Sequence, residues 1–386
     1  MKTQITHLTL ENWRNFRRVD VAIGARAFIV GPNASGKTNL LDAIRFLGEI
    51  ARKGGSLARS VNTSRGGIAH LRSLHARQAT DLRIEISIQV DSDAWVYELC
   101  LGGTKTKPVR VLRERVGKNG KDLFLRPTSQ DEADPRLLEQ THLEQLSQNA
   151  HFRALADALA GITLIHVVPQ VVKSPLRSEE NALRDASGSD FIDQLARLPE
   201  KRRRGVLGRI ERLLRVAVPH FSQLRSTRDN EGRPHLEANY EHWRDKGSWQ
   251  NETEFSDGTI RLIGFLWAIS SGSAPLLLEE PELSLHREVV KQIPRVLARA
   301  SEHSGRQVIV STHAEEMVDD TGIDPAEVIV LAPTKEETKV TTADQDLRLV
   351  NAARAGIPLG ALLIGTTRPA GIEQLAMTPP VDSARR

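Results

Sequence analysis

Hydrophobic and polar positions along the chain fall into patterns that predict an α/β protein. Residues 82–90 alternate strictly between apolar and polar side chains, which is typical of a strand with one buried face. Residues 5–10 alternate in the same way, and residues 27–30 form a short apolar run that predicts a buried strand. Residues 39–47 show helical periodicity instead. A strand, a loop and a helix are therefore predicted to follow one another in the first 50 residues.

The remaining sequence is predicted to alternate between strands and helices. Residues 51–80, rich in Gly, Ser and Arg, are expected to form an irregular connection, and residues 81–126 an antiparallel meander. Residues 127–160 become helical, and a buried strand is expected at residues 162–168. The later expected elements are helices over 188–220, a strand pair with a loop over 222–250, a helix at 258–271, a strand at 275–279, a helix at 286–301 and a strand at 307–311.

The loop after the apolar run at residues 27–30 has a phosphate-binding sequence. It matches Gly-x-x-x-x-Gly-Lys-Thr in full, with Gly31, Pro32, Asn33, Ala34, Ser35, Gly36, Lys37 and Thr38. Glycines let consecutive N–H groups point at phosphates, and the N-terminus of the following helix attracts the same anion. We expect Lys37 to reach the β- and γ-phosphates, Thr38 to offer its hydroxyl to Mg²⁺, and the adjoining Asn39 to belong to the same site. A purely structural turn is the alternative, and the flanking strand and helix argue against it.

A second segment places two adjacent carboxylates at the end of an apolar strand. Residues 276–278 are leucines, and Glu279 and Glu280 follow them directly. In open α/β sheets, ligands bind beyond the carboxyl ends of the strands. Glu279 therefore suits a position facing Mg²⁺, and Glu280 suits the orientation and activation of an attacking water. Acidic pairs also occur at helix starts, but such a cap does not normally follow three leucines.

A third segment resembles the second in its layout. The apolar residues 308–310 precede Ser311, Thr312 and His313, so another buried strand is predicted to end at a polar cluster. His313 is predicted to contact the γ-phosphate through a ring nitrogen. A single histidine after a strand is more often structural, and its order after the other two segments is what favours the functional interpretation.

Composition limits the possible classes of protein. The chain has 386 residues, 39% hydrophobic and 26% charged, as in globular proteins with a sizeable core. No apolar stretch approaches the roughly 18 residues that span a bilayer, and the N-terminus lacks the apolar segment of a signal peptide. The only cysteine, Cys100, excludes an internal disulfide and a Cys-x-x-Cys metal site. We therefore expect a cytoplasmic protein that does not contact a membrane.

Charge is nearly balanced overall but is concentrated in one segment. The formal net charge is +4, which neither requires nor excludes nucleic acid. The densest basic region spans residues 201–215 and contains seven arginine or lysine side chains: Lys201, Arg202, Arg203, Arg204, Arg209, Arg212 and Arg215. A solvated helical face is one interpretation, and a surface that contacts phosphates is the other.

Together the three segments resemble those of the soluble ABC-type ATPases, the branch that includes the RecF, SMC and OLD-family proteins. The residues 255–262, with Ser256, Asp257, Gly258 and Thr259, are similar to the Ser-Asp-Gly-Thr signature of stand-alone ATPases related to the OLD family. They differ from the Ser-Gly-Gly-Gln of transporters. Residues 12–16 and 187–191 also resemble segments of these ATPases, and the resemblance covers residues 1–365.

The resemblance implies a P-loop NTPase fold of the ABC-ATPase head type, with a mixed sheet, an antiparallel β-subdomain and a helical lobe. It implies one head over residues 1–365. The expected parts are a nucleotide-binding core (1–50 and 255–345), a β-meander (81–126), a helical lobe with an insert (127–250) and a flexible tail (366–386).

The resemblance also implies a homodimer that encloses two ATP molecules. Ser256 and Gly258 of one subunit would then bind the γ-phosphate held by the other. Gln170 resembles the glutamine that senses Mg²⁺, with Gln89 as the alternative. His286 occupies the position of a residue that contacts the second subunit, and Arg287 replaces the proline that usually follows. Arg14 is either close to a phosphate or an ordinary surface residue.

Two functions from different classes follow from this resemblance. The first is an ATP-binding and ATP-hydrolysing switch, with Lys37, Glu280 and His313 as catalytic residues, which controls a separate effector such as a TOPRIM-type nuclease in antiphage defence. The second is a RecF-like ATPase that binds DNA during repair. A module that holds ATP without hydrolysing it is disfavoured by Glu280, and a transporter subunit is disfavoured by the signature. The chain is also expected to lack a fused TOPRIM domain and a long coiled coil.

Overall fold

The computed structural model of the chain describes residues 2–73, 81–104, 108–174, 187–188, 190–241 and 248–367. Its strands are β1 (Thr3–Trp13), β2 (Phe16–Ala22), β3 (Arg26–Val30), β4 (Leu82–Val90), β5 (Asp93–Gly102), β6 (Arg110–Lys118), β7 (Lys121–Arg126), β8 (Thr163–Ile165), β9 (Phe221–Arg228), β10 (Pro234–Tyr240), β11 (Ser248–Asn251), β12 (Leu276–Glu279), β13 (Val308–Thr312), β14 (Val328–Pro333) and β15 (Thr338–Thr342).

The helices vary from one turn to five. They are α1 (Lys37–Ala51), α2 (Leu57–Arg65), α3 (Ile68–Leu71), α4 (Ser129–Ala133), α5 (Arg153–Gly161), α6 (Pro169–Val172), α7 (Phe191–Arg197), α8 (Glu200–Ala217), α9 (Asp257–Ser270), α10 (Arg287–Val290), α11 (Ile293–Ser304), α12 (Leu347–Arg354) and α13 (Gly360–Thr367). Ser189 and residues 368–386, which include most of the predicted tail, lie outside the described residues.

A six-stranded mixed sheet forms the centre of the fold, in the order β15-β14-β3-β13-β12-β8. Its strands are parallel except β15, which pairs antiparallel with β14. All five residues of β13 are buried, as expected for a parallel strand covered on both faces. Because Leu278 pairs with Val310 and Val310 with Phe28, the carboxyl ends of β12, β13 and β3 meet at one edge. The expected fold class is thus the one observed.

The predicted antiparallel strands belong to a second six-stranded sheet, in the order β2-β1-β4-β5-β6-β7. The four strands β4–β7 form the expected meander. β1 and β2 were not assigned to it, yet Leu8 pairs with Ile86 and Leu10 with Ile84. Local alternation identifies a strand but not its partner, so this long-range pairing could not be inferred from sequence. α1 packs in the same hydrophobic core as this sheet, through Leu40, Ile44 and Leu47.

The region predicted as a helical lobe also contains a three-stranded sheet, β11-β10-β9. Only a strand pair and a loop were expected there. The four apolar residues Val206, Leu207, Ile210 and Leu214 form the buried face of α8 and lie in the same core as Leu224 and Leu236 of this sheet. The basic side chains of α8 therefore face outward because its apolar stripe faces the sheet.

Two other expectations about local structure are wrong, and some elements were not predicted. Residues 51–80 are not wholly irregular, since Ser56 caps α2, which ends at the left-handed Gly66. Residues 286–301 form two helices rather than one, and α11 begins with Pro294 in its first turn. The strands β14 and β15 and the helices after them had no predicted counterpart. Within the described part of the chain, no helix is both long and apolar enough to cross a membrane.

Candidate nucleotide-binding site

The loop between β3 and α1 is shaped as a phosphate cradle. Gly36 has φ of 100°, a left-handed conformation that favours glycine, and a Cβ there would also clash with the amide of Asn15. A Cβ on Gly31 would lie 2.8 Å from the carbonyl oxygen of Leu331 on β14. Both glycines of the motif are therefore required by the close packing of this loop against Asn15 and β14.

Lys37 lies almost wholly buried in this loop, with 6% of its surface exposed. Its ammonium donates hydrogen bonds to the carbonyl oxygens of Gly31 at 2.9 Å and Pro32 at 3.1 Å. Burial lowers the pKa of Lys37, and the negative charges of Glu280, Glu282 and Glu279 oppose that effect. In the described residues the ammonium hydrogen-bonds only to backbone carbonyls and makes no ion pair, so its charge is available to a ligand that brings negative charge, as ATP does.

Thr38 and Glu279 meet at the edge of the central sheet. The hydroxyl of Thr38, in the first turn of α1, donates to Oε1 of Glu279, the last residue of β12. Hydroxyl and carboxylate oxygens are hard donors of the kind that Mg²⁺ prefers, and Mg²⁺ usually takes its other ligands from water and phosphate. The donor set that these two residues provide therefore fits Mg²⁺.

Glu280 and His313 face each other across β12 and β13. Glu280 has an unusual backbone conformation with φ of 44°, held by a hydrogen bond of 2.9 Å from its N–H to the carbonyl of Ser311. Its Oε1 lies 3.3 Å from Nδ1 of His313. Both side chains are partly exposed, Glu280 to 26% and His313 to 42%, so water and substrate can reach them. The structure thus brings together the two residues predicted from separate strand ends.

Sequence reasoning missed Asn15, which braces the loop from the turn between β1 and β2. Its amide nitrogen donates to the carbonyl of Ser35 at 2.7 Å and to the hydroxyl of Thr338 at 2.8 Å. Its Oδ1 accepts a bond of 2.7 Å from Asn39, a predicted site residue whose side chain is thereby directed to Asn15. The Asn-Trp-Arg-Asn-Phe segment of residues 12–16 was the only signal for it.

The signature segment begins α9. Ser256 is the N-cap of this helix, and its hydroxyl accepts a hydrogen bond from the N–H of Thr259. Gly258 lies against Ser284, and a Cβ on this glycine would be 2.5 Å from the Ser284 carbonyl oxygen. In the described residues, neither Ser256 nor Gly258 hydrogen-bonds to the loop of residues 31–38. This arrangement is compatible with the expectation that they serve a second subunit.

The two glutamines proposed as Mg²⁺ sensors make other contacts. Gln170 on α6 donates to Asp257 at 3.1 Å, so its described contact is with the signature helix. Gln89 donates to the carbonyl of Asp91 in a hairpin of the antiparallel sheet. It is His166, with Nδ1 at 3.2 Å from the carbonyl of Glu279, that contacts the predicted Mg²⁺ ligand from this side. No sequence pattern indicated His166.

Arg14 and His286 take part in local interactions. Arg14 contacts Asp42 of α1 at 3.3 Å, and the buried Arg65 of α2 pairs with the same carboxylate at 2.7 Å. These arginines therefore anchor α1, the helix that carries Lys37 and Thr38. His286 is the N-cap of α10. Arg287, which replaces the usual proline, pairs with Glu316 at 2.6 Å.

The basic segment lies on α8 and is mostly exposed. Arg204 pairs with Glu200 and Arg215 with Glu211, in each case one helical turn away. In the described part of the chain, Lys201, Arg202, Arg209 and Arg212 are exposed and make no ion pair. Four unpaired cations on one helix are consistent with either a solvated face or a surface for phosphates.

Comparison with known proteins identifies a family and several relatives of this chain. Residues 26–319 match the family described as "AAA domain, putative AbiEii toxin, Type IV TA system". The DNA replication and repair protein RecF of Clavibacter michiganensis is 36% identical over 106 residues, which cover 27% of this chain and 25% of that protein. RecF of Chloroflexus aggregans is 52% identical over 44 residues, or 11% of each chain. The chain therefore matches a quarter or less of the length of these relatives.

Solved structures of SMC head domains share the fold. The SMC head bound to the C-terminal winged-helix domain of ScpA has a TM-score of 0.54 at 18% identity, covering 89% of this chain and 99% of that one. The head with an extended coiled coil from Pyrococcus furiosus has a TM-score of 0.53 at 15% identity, covering 91% and 100%. The family match covers most of the chain, so the chain belongs to this AAA-domain family, and its fold is that of the SMC heads.

Proposed function

We propose that this chain binds ATP with Mg²⁺ and hydrolyses it, and that two copies close around two ATP molecules to control a partner protein. The observation that supports this best is the meeting of three strand ends at one edge of the sheet. There Lys37 is buried among carboxylates, Thr38 contacts Glu279, and Glu280 contacts His313. Glu280 and His313 are partly exposed, so the stability of the fold does not require their contact. Their presence beside Lys37, Thr38 and Glu279 therefore favours a functional site.

Each residue has a definite role in the proposed reaction. Lys37 and the backbone N–H groups available in the loop of residues 31–38 would hold the phosphates, and Thr38 and Glu279 would hold Mg²⁺. Mg²⁺ supplies neutralisation of phosphate charge when it is bound. Glu280 orients a water and accepts its proton as the water oxygen attacks the γ-phosphorus. The bond to the β-phosphate oxygen breaks, and ADP and phosphate are released. His313 hydrogen-bonds to the γ-phosphate.

The position of the signature supports closure of two copies. Ser256 and the N–H groups at the start of α9 present a hydroxyl and a helix N-terminus, which attract an anion. Within one chain, Ser256 and Gly258 make no hydrogen bond to the loop of residues 31–38 among the described residues. A γ-phosphate held by a second copy would supply the missing anion, so hydrolysis would remove a contact that exists only in the closed dimer.

The decisive test combines hydrolysis with association. Phosphate release should occur in the wild-type protein and be lost in Glu280→Gln, while light scattering should show Glu280→Gln as a dimer only with ATP and Mg²⁺. Adding Lys37→Ala to Glu280→Gln should return the protein to a monomer. A monomer under all these conditions would contradict closure, and hydrolysis alone would then remain as the function.

The nature of the partner is the finer part of the proposal. The family's description names a putative toxin of a toxin–antitoxin system, which favours a defence role. A separate effector such as a TOPRIM-type nuclease would then respond to the closed dimer. Pull-down with ATP-bound Glu280→Gln, and with the Glu280→Gln/Lys37→Ala variant as the control, tests this. A nuclease-like protein recovered only with the first bait is the expected result.

Duplex DNA is the second candidate partner. The four exposed, unpaired cations of α8 and the partial likeness to RecF favour it. If α8 contacts phosphates, DNA affinity should fall steeply with salt, and changing Arg202, Arg209 and Arg212 to Ala should reduce both affinity and salt dependence. Changing the paired Arg204 and Arg215 instead is the matched control. Equal binding by both variants would exclude this face.

A further inference from the structure

Glu282 lies beneath the candidate catalytic pair and is almost completely buried, with 6% of its surface exposed. The chain turns at Glu280 and Pro281, so the Glu282 side chain points back to the end of β13. Its Oε1 accepts a hydrogen bond of 2.6 Å from the Thr312 hydroxyl and one of 3.3 Å from the His313 N–H. One carboxylate oxygen thus holds two consecutive residues of the strand end that carries His313.

The same oxygen also faces the His313 ring. Nδ1 lies 3.8 Å from Oε1 of Glu282 and 3.3 Å from Oε1 of Glu280. Two carboxylates on one side of the ring favour a proton on Nδ1, because only an N–H can donate to them. Nε2 is then the ring nitrogen that is free to meet a substrate. We propose that Glu282 is a positioning residue, which fixes the backbone, ring orientation and tautomer of His313 for the proposed ATP hydrolysis.

Burial of a carboxylate is unfavourable, so a contact with a purely structural role would not require one. Burial raises the pKa of Glu282, against the opposing effect of its hydrogen bond from Thr312. Its other oxygen, Oε2, is buried and has no hydrogen-bond partner in the described residues. A buried acceptor without a hydrogen-bond partner reduces stability. A structure that retains it at this position indicates a role in the site rather than in stability.

Two cations near Glu282 connect it to the rest of the site. Burial lowers the pKa of Lys37 and of Arg261, and the charge of Glu282 opposes that effect in both groups. Lys37 belongs to the phosphate loop and Arg261 to the signature helix α9. The charge of Glu282 therefore acts on both elements that would hold phosphate, while its side chain contacts the backbone of His313 directly. It does not reach the surface where substrate would bind, so its action is through His313.

The test uses Glu282→Gln, which keeps the size and one acceptor oxygen but removes the charge. Glu252→Gln is a matched control, because Glu252 is also fully buried and accepts a hydrogen bond from a backbone N–H at 3.0 Å. Its carboxylate also faces a histidine, His235 of β10, at 2.7 Å. We expect Glu282→Gln to lower kcat roughly tenfold to a hundredfold with KM changed by less than about twofold. Glu252→Gln should leave both values unchanged.

Coupling to His313 separates positioning from general damage. In a His313→Ala background, Glu282→Gln should lower kcat no further, because the residue it positions is gone. An equal fall in both backgrounds, or a Glu282→Gln protein as active as the control, would overturn the inference. Thermal unfolding of each variant shows whether it is folded. A variant that is unfolded is replaced by Glu282→Asp, which keeps the charge but shortens the reach and should reduce kcat in the same manner.

The role of Glu282 rests on the proposed function, so it also needs a measurement that does not depend on ATP hydrolysis. The ¹⁵N spectrum of the His313 imidazole identifies which ring nitrogen carries the proton. Nδ1 should be protonated in the wild type, and Glu282→Gln should redistribute the proton between the nitrogens. If the wild-type protein releases no phosphate, the proposed function fails and this spectrum decides alone. An identical spectrum in wild type and Glu282→Gln would overturn the positioning role.

Discussion

Thr38 donates a hydrogen bond to Glu279 across a separation of 241 residues in sequence. The contact exists because β3 and β12 flank β13 in one parallel sheet, which brings their carboxyl ends to the same edge. If the two oxygens hold Mg²⁺, Thr38→Val should raise the Mg²⁺ concentration needed for half-maximal phosphate release by about tenfold or more. Titration of Mg²⁺ at fixed ATP measures it. Thr227→Val on β9 is the control, and a shift of equal size there would refute the assignment.

Lys37 should determine the affinity for ATP. Replacing it with Ala removes a charge-assisted contact with phosphate, and we expect the dissociation constant for ATP to rise roughly tenfold to a hundredfold. The fold should not suffer, since burial of an ammonium is unfavourable in itself. Equilibrium binding of ATP with Mg²⁺ checks this against Lys339→Ala, an exposed lysine on β15. Unchanged affinity in Lys37→Ala would show that phosphate binds elsewhere.

Gly258 should tolerate no side chain. A Cβ there would lie 2.5 Å from the carbonyl oxygen of Ser284, which is backbone and cannot swing away. We expect Gly258→Ala to reduce the free energy of unfolding by about 1–3 kcal/mol and to prevent ATP-dependent association. Gly205→Ala on α8 meets no atom within 4 Å and should be neutral or stabilise by up to about 1 kcal/mol. Chemical denaturation compares them, and equal stabilities would mean that the Ser284 loop yields easily.

Stability should fall in mild acid through His142. Burial, and secondarily the nearby Arg126 cation, lowers the pKa of His142 to about 4, below its usual value of 6.5. A group whose pKa is lower in the folded state contributes stability that is complete above pH 6.5 and is lost as the pH falls towards 4. His142 stacks on Phe124 with centroids 4.6 Å apart, so Phe fits the position.

His142→Phe should therefore flatten the decline of the melting temperature between pH 7 and pH 4.5. The exposed His303→Phe provides the comparison and should decline as the wild type does. If His142→Phe loses stability as steeply as the wild type over this interval, other groups cause the acid sensitivity.

The residues of the candidate site that the sequence could identify lie at or shortly after the ends of apolar strands. Glu280 and His313 follow runs of buried residues, and Lys37 follows such a run after a six-residue loop, so both their position and their convergence were predictable. Asn15 and His166 reach the site from other segments, and only pairing across the sheets reveals them. Glu282 follows Glu280 by two residues, but only the structure shows that it contacts Thr312 and His313. The placement of Gln170 beside Asp257 shows the limit, because a motif with weak spacing does not define its partner.

In the fold, too, elements with a local sequence pattern were predicted, whereas features that depend on distant contacts were not. Alternation along β4 and β5 predicted their strands, whereas the pairing of β1 with β4 depends on contacts about 80 residues apart that no local pattern encodes. β14 and β15 were missed, although β14 lies beside β3 and supplies the Leu331 carbonyl against Gly31. The sequence therefore predicted the candidate site at the sheet edge better than the strands that support it.

Steady-state phosphate release from ATP, measured on wild type and Glu280→Gln side by side, shows whether this site hydrolyses ATP through Glu280. We expect release that depends on Mg²⁺ in the wild type and a loss of about a hundredfold or more in Glu280→Gln, with ATP still bound. Equal release by the two proteins, or none by the wild type, would contradict the assignment of Glu280 and His313 as a catalytic pair.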